Sequence, residues 1–281
     1  MQIFETTTGL KGFLEGCRNN NKKISLVPTM GGLHDGHLML VDRARVISDI
    51  VVVSIFVNPT QFARGEDFED YPNTLSSDQK KLESKGVDVL FLPSKGEIYP
   101  DGLHNDYKVG EIGQILCGAF RPSHFDGVAQ VVKRFFDIVK PDYSVFGEKD
   151  YQQLLIIKSL VDKLKLDIFI ESVETKREID SLAMSTRNQY LSHEDRKKAP
   201  NFYLKLNALK KSILDGNSIE KSRLRAIDDL DEEFETEYLE VLDANNLTQI
   251  ETKTSEIIII SAIRFGGTRL IDNIVFRRTN V

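Results

Sequence analysis

The sequence predicts an α/β protein: a Rossmann-like parallel-sheet N-terminal domain followed by a smaller α+β C-terminal domain. Three observations carry this. Apolar strand-like runs alternate with helical stretches up to about residue 175. Runs such as "DIVVVSIFVNP" (49–59) are apolar on both faces, as a parallel strand covered on both sides requires. After about residue 176 the order changes to polar helices followed by three strand-like runs. The domains are accordingly placed at 1–175 and 176–281.

In order, "KISLVPT" (23–29) reads as a buried strand and "HLMLVDRARVIS" (37–48) as a helix with Leu38, Val41, Ala44 and Arg45 on one period. A strand over 49–59 follows, then a helix over 75–86 that Gly86 stops, a strand over 87–93, a helix over 127–140 and a strand over 142–147. A helix over 150–164 and a strand over 167–173 complete the alternation, which implies right-handed crossovers and ligand sites at the carboxyl ends of the strands. Polar helices over roughly 193–215 and 218–235 then precede "YLEVLDA", "SEIIIISAIRF" and "TRLIDNIVFRR", which read as a short antiparallel sheet. The polar stretch "REIDSLAMSTRNQYLS" (177–192) lies at the junction, where two-domain enzymes often keep their sites.

Composition narrows the function. The chain has 281 residues, 41% hydrophobic and 28% charged, and 37 Lys plus Arg against 43 Asp plus Glu give a formal net charge of -6. With neither a basic excess nor a basic block, nucleic acid is not the expected partner. Cys17 and Cys117 stand far apart in no metal-type spacing, as idle thiols of a reducing compartment do. "MQIFETTTGLKGF" lacks the basic and apolar regions of a secretory signal. The apolar run "IIIISAI" (257–263) falls short of the roughly 20 residues of a membrane helix. A soluble, cytoplasmic protein with no membrane partner is expected.

The densest chemistry lies in "VPTMGGLHDGHLMLVDRAR" (27–45). A strand ending near Thr29, a glycine-rich turn and a helix starting near Gly36 or His37 would place free backbone N–H groups and a partial positive charge where a phosphate binds. Gly31, Gly32 and Gly36 let the backbone approach a ligand. His34 and His37 would share one face of the first turn, where imidazolium nitrogens can offset phosphate charge. A metal site is the competing reading, but it needs a third ligand. His104, His124 and His193 are scattered, and no Cys or Glu falls at the i+4 positions of a zincin. A plain surface pair is the third reading; phosphate handling is favoured.

Several stretches resemble one family. "HDGH" is similar to the HxGH signature of the nucleotidyltransferase superfamily, to which class I aminoacyl-tRNA synthetases also belong. "PTMGGLHDGHLMLV", "SIFVNPTQFARGEDFEDYP" (54–72), "FGEKDYQQL" (146–154), "REIDSLAMSTRNQYLS" and "GGTRLIDN" (266–273) resemble, in that order, the motifs of the pantoate–β-alanine ligase (pantothenate synthetase) family. The resemblance implies ATP-dependent condensation of pantoate with β-alanine through an enzyme-bound pantoyl adenylate, with pyrophosphate and then AMP released. It also implies Mg2+, a homodimer, and a C-terminal domain that closes over the ATP site.

The same resemblance assigns residues. Met30, Gly31, Gly32, Leu33, His34, Asp35, Gly36 and His37 form the ATP loop, with His34 and His37 on the phosphates and His37 as the family's proton donor. Adenylation by a carboxylate removes no proton, so charge stabilisation is the more natural role. Gly147, Glu148, Lys149 and Asp150 supply a phosphate-binding cation and a ribose acceptor, the other reading being an exposed turn that caps the next helix. Met184, Ser185, Thr186 and Arg187 serve the leaving pyrophosphate, and Lys176 borders the adenine through its backbone. Gln61 and Gln153 hold pantoate, joined by Asn58, and Gln61 is also placed near β-alanine; as neutral amides they bond hydroxyl and carboxylate without adding charge. Arg121 and His124 stand at the entrance. Asp35, Gly32 and Thr186 are mild departures from the pattern, whereas Ser77–Asp78 replaces an acidic pair that some relatives have near magnesium.

Two other classes fit parts of the sequence. Another HxGH nucleotidyltransferase would keep the nucleotide in its product. A synthetase fragment would share the HxGH and "MSTR" features, yet the chain lacks a basic tRNA-binding module.

Overall fold

In the computed structural model, residues 1–63, 65–103 and 107–278 are described; His104 lies outside them. The chain forms two compact units, one of Met1–Glu148 with Ile156–Glu174, the other of Lys149–Leu155 with Thr175–Val281.

The first unit carries, in chain order, β1 (Gln2–Phe4), α1 (Thr7–Asn19), β2 (Ile24–Thr29), α2 (Asp35–Ile47), β3 (Ile50–Ile55), α3 (Leu75–Ser84) and β4 (Val89–Phe91). Then come α4 (Lys95–Ile98), α5 (Cys117–Phe120), α6 (His124–Val139), β5 (Tyr143–Gly147), α7 (Tyr151–Leu164, of which the part from Ile156 onward belongs to this unit) and β6 (Phe169–Val173). Among the described residues its strands form one parallel sheet in the order β1-β4-β3-β2-β5-β6. The Rossmann-like expectation is met. From β2 the chain steps outward through β3 and β4, then returns to place β5 on the other side of β2. That reversal is a topological switch point, where open α/β sheets bind ligands. The pairing of β2 with β5 ends at Leu26↔Ser144, whereas β2 stays paired with β3 as far as Thr29↔Ile55. Beyond Leu26 the two central strands therefore part, at the end where the glycine run begins.

Local sequence explains the elements that frame this point. β2 is buried along almost its whole length, and Val27, Val51, Val53, Leu90 and Val145 share one apolar cluster with Leu40, Val41 and Ala44 of α2. Leu33 belongs to the same cluster, so the turn after β2 is pinned to the core by its own side chain. α6 is strongly amphipathic, burying Val128, Val131, Val132, Phe135 and Phe136. Near its start Gly127 touches the 3-10 turn Pro59–Gln61 so closely that a Cβ there would lie 2.2 Å from the Thr60 carbonyl oxygen. Only glycine fits.

The second unit holds α8 (His193–Lys198), α9 (Asn201–Leu214), α10 (Ile219–Asp231), β7 (Glu235–Asp243), β8 (Glu256–Phe265) and β9 (Thr268–Arg277). Its three strands form an antiparallel sheet in the order β7-β8-β9, whose apolar face (Ile257, Ile259 and Ile263 of β8) packs with Phe202, Leu206 and Leu209 of α9. The helix expected over 193–215 is two helices, α8 and α9, parted at Pro200, which has no N–H to continue the first. β1 and α1 have no counterpart in the sequence expectations. β1 is too short for any period, and α1 buries only Leu10 and Leu14 beneath an otherwise polar surface. No helix among the described residues is long and apolar enough to cross a membrane.

Candidate active site

In the first unit the glycine run is a self-bonded loop. Gly31 (φ +89°) and Gly32 (φ +63°) turn the backbone into the left-handed region, directing successive N–H groups inward. Asp78 of α3, wholly buried, receives them: its Oδ2 accepts the Gly32 N–H at 2.9 Å and its Oδ1 the Leu33 N–H at 2.9 Å. The Thr74 hydroxyl donates to the same carboxylate at 3.1 Å, and Lys81 Nζ donates to the Leu33 carbonyl. The Gly31 N–H is taken by Thr29 Oγ1 at 3.3 Å.

The helix after the loop starts at Asp35, just ahead of the expected Gly36–His37, because His34 is its N-cap. His34 Nδ1 accepts the Gly36 N–H at 3.1 Å, and His37 Nδ1 accepts the His34 N–H at 3.3 Å. The rings lie 4.1 Å apart, centroid to centroid, tilted by 41°. The two histidines do stand together as the sequence reading requires, but two details of that reading change. Of the backbone N–H groups along the loop, those of Gly31, Gly32, Leu33, His34 and Gly36 are engaged by Thr29, Asp78 and the two histidines. And because each Nδ1 accepts a backbone N–H, the proton of each ring, when neutral, sits on Nε2. In that tautomer the pair offers two Nε2–H donors, whereas an imidazolium would put a proton against the capped N–H. Leu33 also changes role: its N–H, carbonyl and side chain are all committed to the protein, so it shapes the loop. Asp35 is exposed, in the helix's first turn, where an acidic side chain is favoured.

Asp78 is equally committed, with both oxygens on backbone N–H groups. Among the described residues no group of three or more His, Cys, Asp or Glu side chains is arranged to hold a metal ion. This donor set does not build a resident magnesium site.

Gln61 ends the turn after β3 and is held from all sides. Its carbonyl faces His124 Nδ1 at 2.7 Å and Arg121 at 3.3 Å, and its Oε1 accepts from Asn58 Nδ2 at 3.0 Å. Its Nε2 lies 3.1 Å from Met30 Sδ, so the amide edge faces the glycine loop. Asn58 is 1% exposed, and its side chain is spent on Gln61, Thr60, Tyr99 and Gly127, so it supports Gln61. Arg121 forms a two-point ion pair with Glu66 at 2.6 and 2.7 Å. Burial alone would raise the Glu66 pKa, but the Arg121 guanidinium overrides it and holds the carboxyl below its usual range. Arg121 and His124 are thus fasteners of the loop around Gln61. At the end of β5, Gly147 and Glu148 close this unit's set, with Ser172 donating to Glu148 at 2.8 Å.

In the second unit Lys149 and Asp150 complete the turn and Gln153 lies half-buried in the first turn of α7. Burial pushes the Lys149 ammonium pKa down, Asp150 and Asp272 pull it back up, and Arg187 and Arg269 push it down again. Its carbonyl accepts from Asn273 Nδ2 at 3.0 Å. Asn273 is preceded by Asp272, which grips Arg177 through two bonds of 2.7 and 2.8 Å, and the Arg177 guanidinium lies 3.5 Å over the Tyr203 ring. Arg177 opens a tight hairpin, bridged Arg177↔Ala183, that presents the "MSTR" stretch. Ser185 caps the turn Thr186–Tyr190 by accepting the Arg187 N–H at 3.2 Å. Lys176 is exposed and its carbonyl accepts the Met184 N–H at 2.9 Å, so its side chain turns outward as expected.

The sequence model of the family described as Pantoate-beta-alanine ligase matches residues 2–275. The chain belongs to this family. It is an acid–amine ligase that joins pantoate to β-alanine. Among its relatives, the pantothenate synthetase of Ruthia magnifica subsp. Calyptogena magnifica is 49% identical over 278 residues, covering 99% of this chain and 100% of the relative. That of Aquifex aeolicus (strain VF5) is 46% identical over 275 residues, covering 96% and 97%. The crystal structure of pantothenate synthetase from Thermus thermophilus aligns with a TM-score of 0.91 at 41% identity, covering 98% and 99%. The pantoate-beta-alanine ligase from Francisella tularensis, complexed with beta-gamma ATP and beta-alanine, aligns with a TM-score of 0.81 at 35% identity, covering 100% and 99%.

Glu66 lies in the stretch 54–72 that carried the family likeness, yet nothing there gave it its task as the partner of Arg121. The "GGTRLIDN" stretch carried the family likeness, but nothing in it gave Asp272 or Asn273 a task.

Two outcomes follow. Asp78→Asn keeps the volume but leaves one loop N–H facing an amide donor, which is expected to cost about 1–3 kcal/mol of stability. Chemical denaturation measures this, and the magnesium dependence of turnover should not move. For Lys149, a depressed native pKa means that the unfolded chain binds the extra proton, so the lysine destabilises the fold at neutral pH and the penalty fades as pH rises through the native pKa towards the ordinary 10.5. Lys149→Met is therefore expected to raise the thermal midpoint at pH 7, to lose that advantage near pH 10.5, and to lose activity throughout.

Proposed function

We propose that the enzyme works in two half-reactions. The pantoate carboxylate attacks the α-phosphorus of ATP, expelling pyrophosphate and forming pantoyl adenylate; the neutral amine of β-alanine then attacks the acyl carbon, loses its proton and expels AMP. The single observation that carries this reading is the His34–His37 pair, two Nε2–H donors 4.1 Å apart by ring centroid, on a rigid loop at the sheet's switch point. Two anions must be brought together for the first step, and preorganised donors stabilise the charge that develops there. Met30 and the loop 31–37 are assigned to ATP with Gly147, Glu148, Lys149 and Asp150. Lys149 is a compact cation for phosphate, Asp150 an acceptor for the ribose, and Ser185, Thr186 and Arg187 meet the pyrophosphate. Lys176 and Met184 border the adenine. Gln61 and Gln153 hold pantoate, and Gln61 also adjoins β-alanine. Magnesium arrives on ATP, as part of the substrate. A cytoplasmic homodimer, with residues 176–281 as its ATP-closing domain, completes the proposal.

Exchange of labelled pyrophosphate tests the order. With magnesium, ATP and pantoate but no β-alanine, label is expected to enter ATP, and adding β-alanine should turn exchange into AMP release. Exchange without pantoate, or product that retains the nucleotide, would overturn the adenylate route. His37→Ala is expected to fold normally and to lose roughly a hundredfold or more in turnover. Purified variant with near-normal turnover would remove His37 from the chemistry.

A further inference from the structure

We propose that Tyr99 is a positioning residue for the pantoate half of the reaction: together with Thr60 and Gly127 it holds Asn58 in the orientation that decides which end of the Gln61 side-chain amide faces the substrate. The proposal rests on the reading that Gln61 contacts pantoate.

An amide side chain has one accepting and one donating end, and its neighbours choose between them. The Tyr99 hydroxyl donates to Asn58 Oδ1 at 2.7 Å in a buried setting. The Thr60 hydroxyl, at 3.0 Å, and the Thr60 N–H, at 3.3 Å, converge on the same oxygen. The other end of Asn58 meets the Gly127 carbonyl at 3.2 Å, an atom that can only accept, so that end is Nδ2. Nδ2 then donates to Gln61 at 3.0 Å, which makes the Gln61 atom Oε1 and leaves Nε2 as the opposite end. Nε2 lies against a thioether sulfur, Met30 Sδ, a weak acceptor. Its N–H bonds thus point where an oxygen acceptor, a carboxylate or a hydroxyl, is the better partner.

The rest of the surroundings removes alternatives. His124 and Arg121 hold the Gln61 carbonyl, and the Gly127 Cα presses on the Gln61 backbone with a Cβ position 2.8 Å from its nitrogen. With the backbone clamped, the remaining freedom of Gln61 is its side chain, and Asn58, held by Tyr99, Thr60 and Gly127, sets its polarity. Burial pushes the Tyr99 phenol pKa up against a smaller pull from Thr60, which keeps the hydroxyl a donor. Tyr99 also packs its ring near Phe56, centroids 6.3 Å apart, which holds it in place without the hydroxyl.

Tyr99→Phe removes one oxygen and keeps that packing. Steady-state kinetics should then show KM for pantoate raised about threefold to tenfold, the range of one neutral hydrogen bond, with KM for ATP changed by less than about twofold. Asn58→Asp tests the same relay without touching Tyr99. It removes the Nδ2 donor, draws the Gln61 NH2 towards itself and turns Oε1 to the substrate, so KM for pantoate should again rise selectively. In a Gln61→Ala background, Tyr99→Phe should add nothing further to KM for pantoate. If Gln61→Ala leaves KM for pantoate unchanged, the Gln61 reading falls. If Gln61→Ala raises it while neither Tyr99→Phe nor Asn58→Asp does, the Tyr99 relay alone is overturned, as it is if Tyr99→Phe raises both KM values equally.

Discussion

A buried carboxylate with two backbone N–H groups on it, Asp78 under Gly32 and Leu33, is the interaction on which the candidate ATP loop depends. The glycines allow the turn, but allowing is not selecting: unconstrained glycine explores the left-handed and right-handed regions about equally. Charge-assisted bonds at 2.9 Å choose one geometry, and the Leu33 side chain, buried in the sheet's core, prevents the loop from lifting away. Downstream, that geometry delivers His34 to the N-cap of α2, and the cap in turn sets both imidazole orientations. The carboxylate that fixes the loop thus also fixes where the two imidazole rings stand.

The same logic of fixing a flexible group from behind recurs elsewhere. In the first unit Gln61, the candidate pantoate residue, is backed by Asn58, Tyr99 and the close approach of Gly127, with Arg121 and His124 on its carbonyl. In the second unit Lys149 is backed by Asn273, which follows Asp272 in its two-point pair with Arg177. Supporting partners of this kind hold catalytic groups within the small tolerance that chemistry requires. Lys149 carries the cost of that arrangement, since its cation is kept where burial disfavours charge.

Magnesium illustrates how residue type and residue role diverge. Asp78 stands where some relatives have an acidic pair near the metal, and the position alone suggests a ligand. Its burial and its three hydrogen-bond partners, two backbone N–H groups and the Thr74 hydroxyl, give it a different task, holding the loop. Glu66 is comparable: an acidic loop residue on paper, it is the partner of Arg121 in space.

Much of the architecture was legible in the sequence by itself. Runs apolar on both faces can only be covered strands, so the parallel sheet, its alternating helices and the change of grammar near residue 176 followed from periodicity and burial. The motifs "HDGH", "GEKD" and "MSTR" pointed to the chemistry through their resemblance to the pantoate–β-alanine ligase family; of the three, the residues of "HDGH" and its glycines by themselves favoured phosphate handling. What only the tertiary structure decided involves partners distant in sequence. Asp78 and Gly32 are 46 residues apart, Tyr99 and Asn58 are 41, and Asn273 and Lys149 are 124. No local period carries such pairings. They also settle what local chemistry leaves open: which histidine nitrogen carries the proton, which end of an amide faces outward, and whether a carboxylate holds a metal or a loop. Proton and lone-pair directions are set by the nearest buried donor or acceptor, and that neighbour is supplied by the fold.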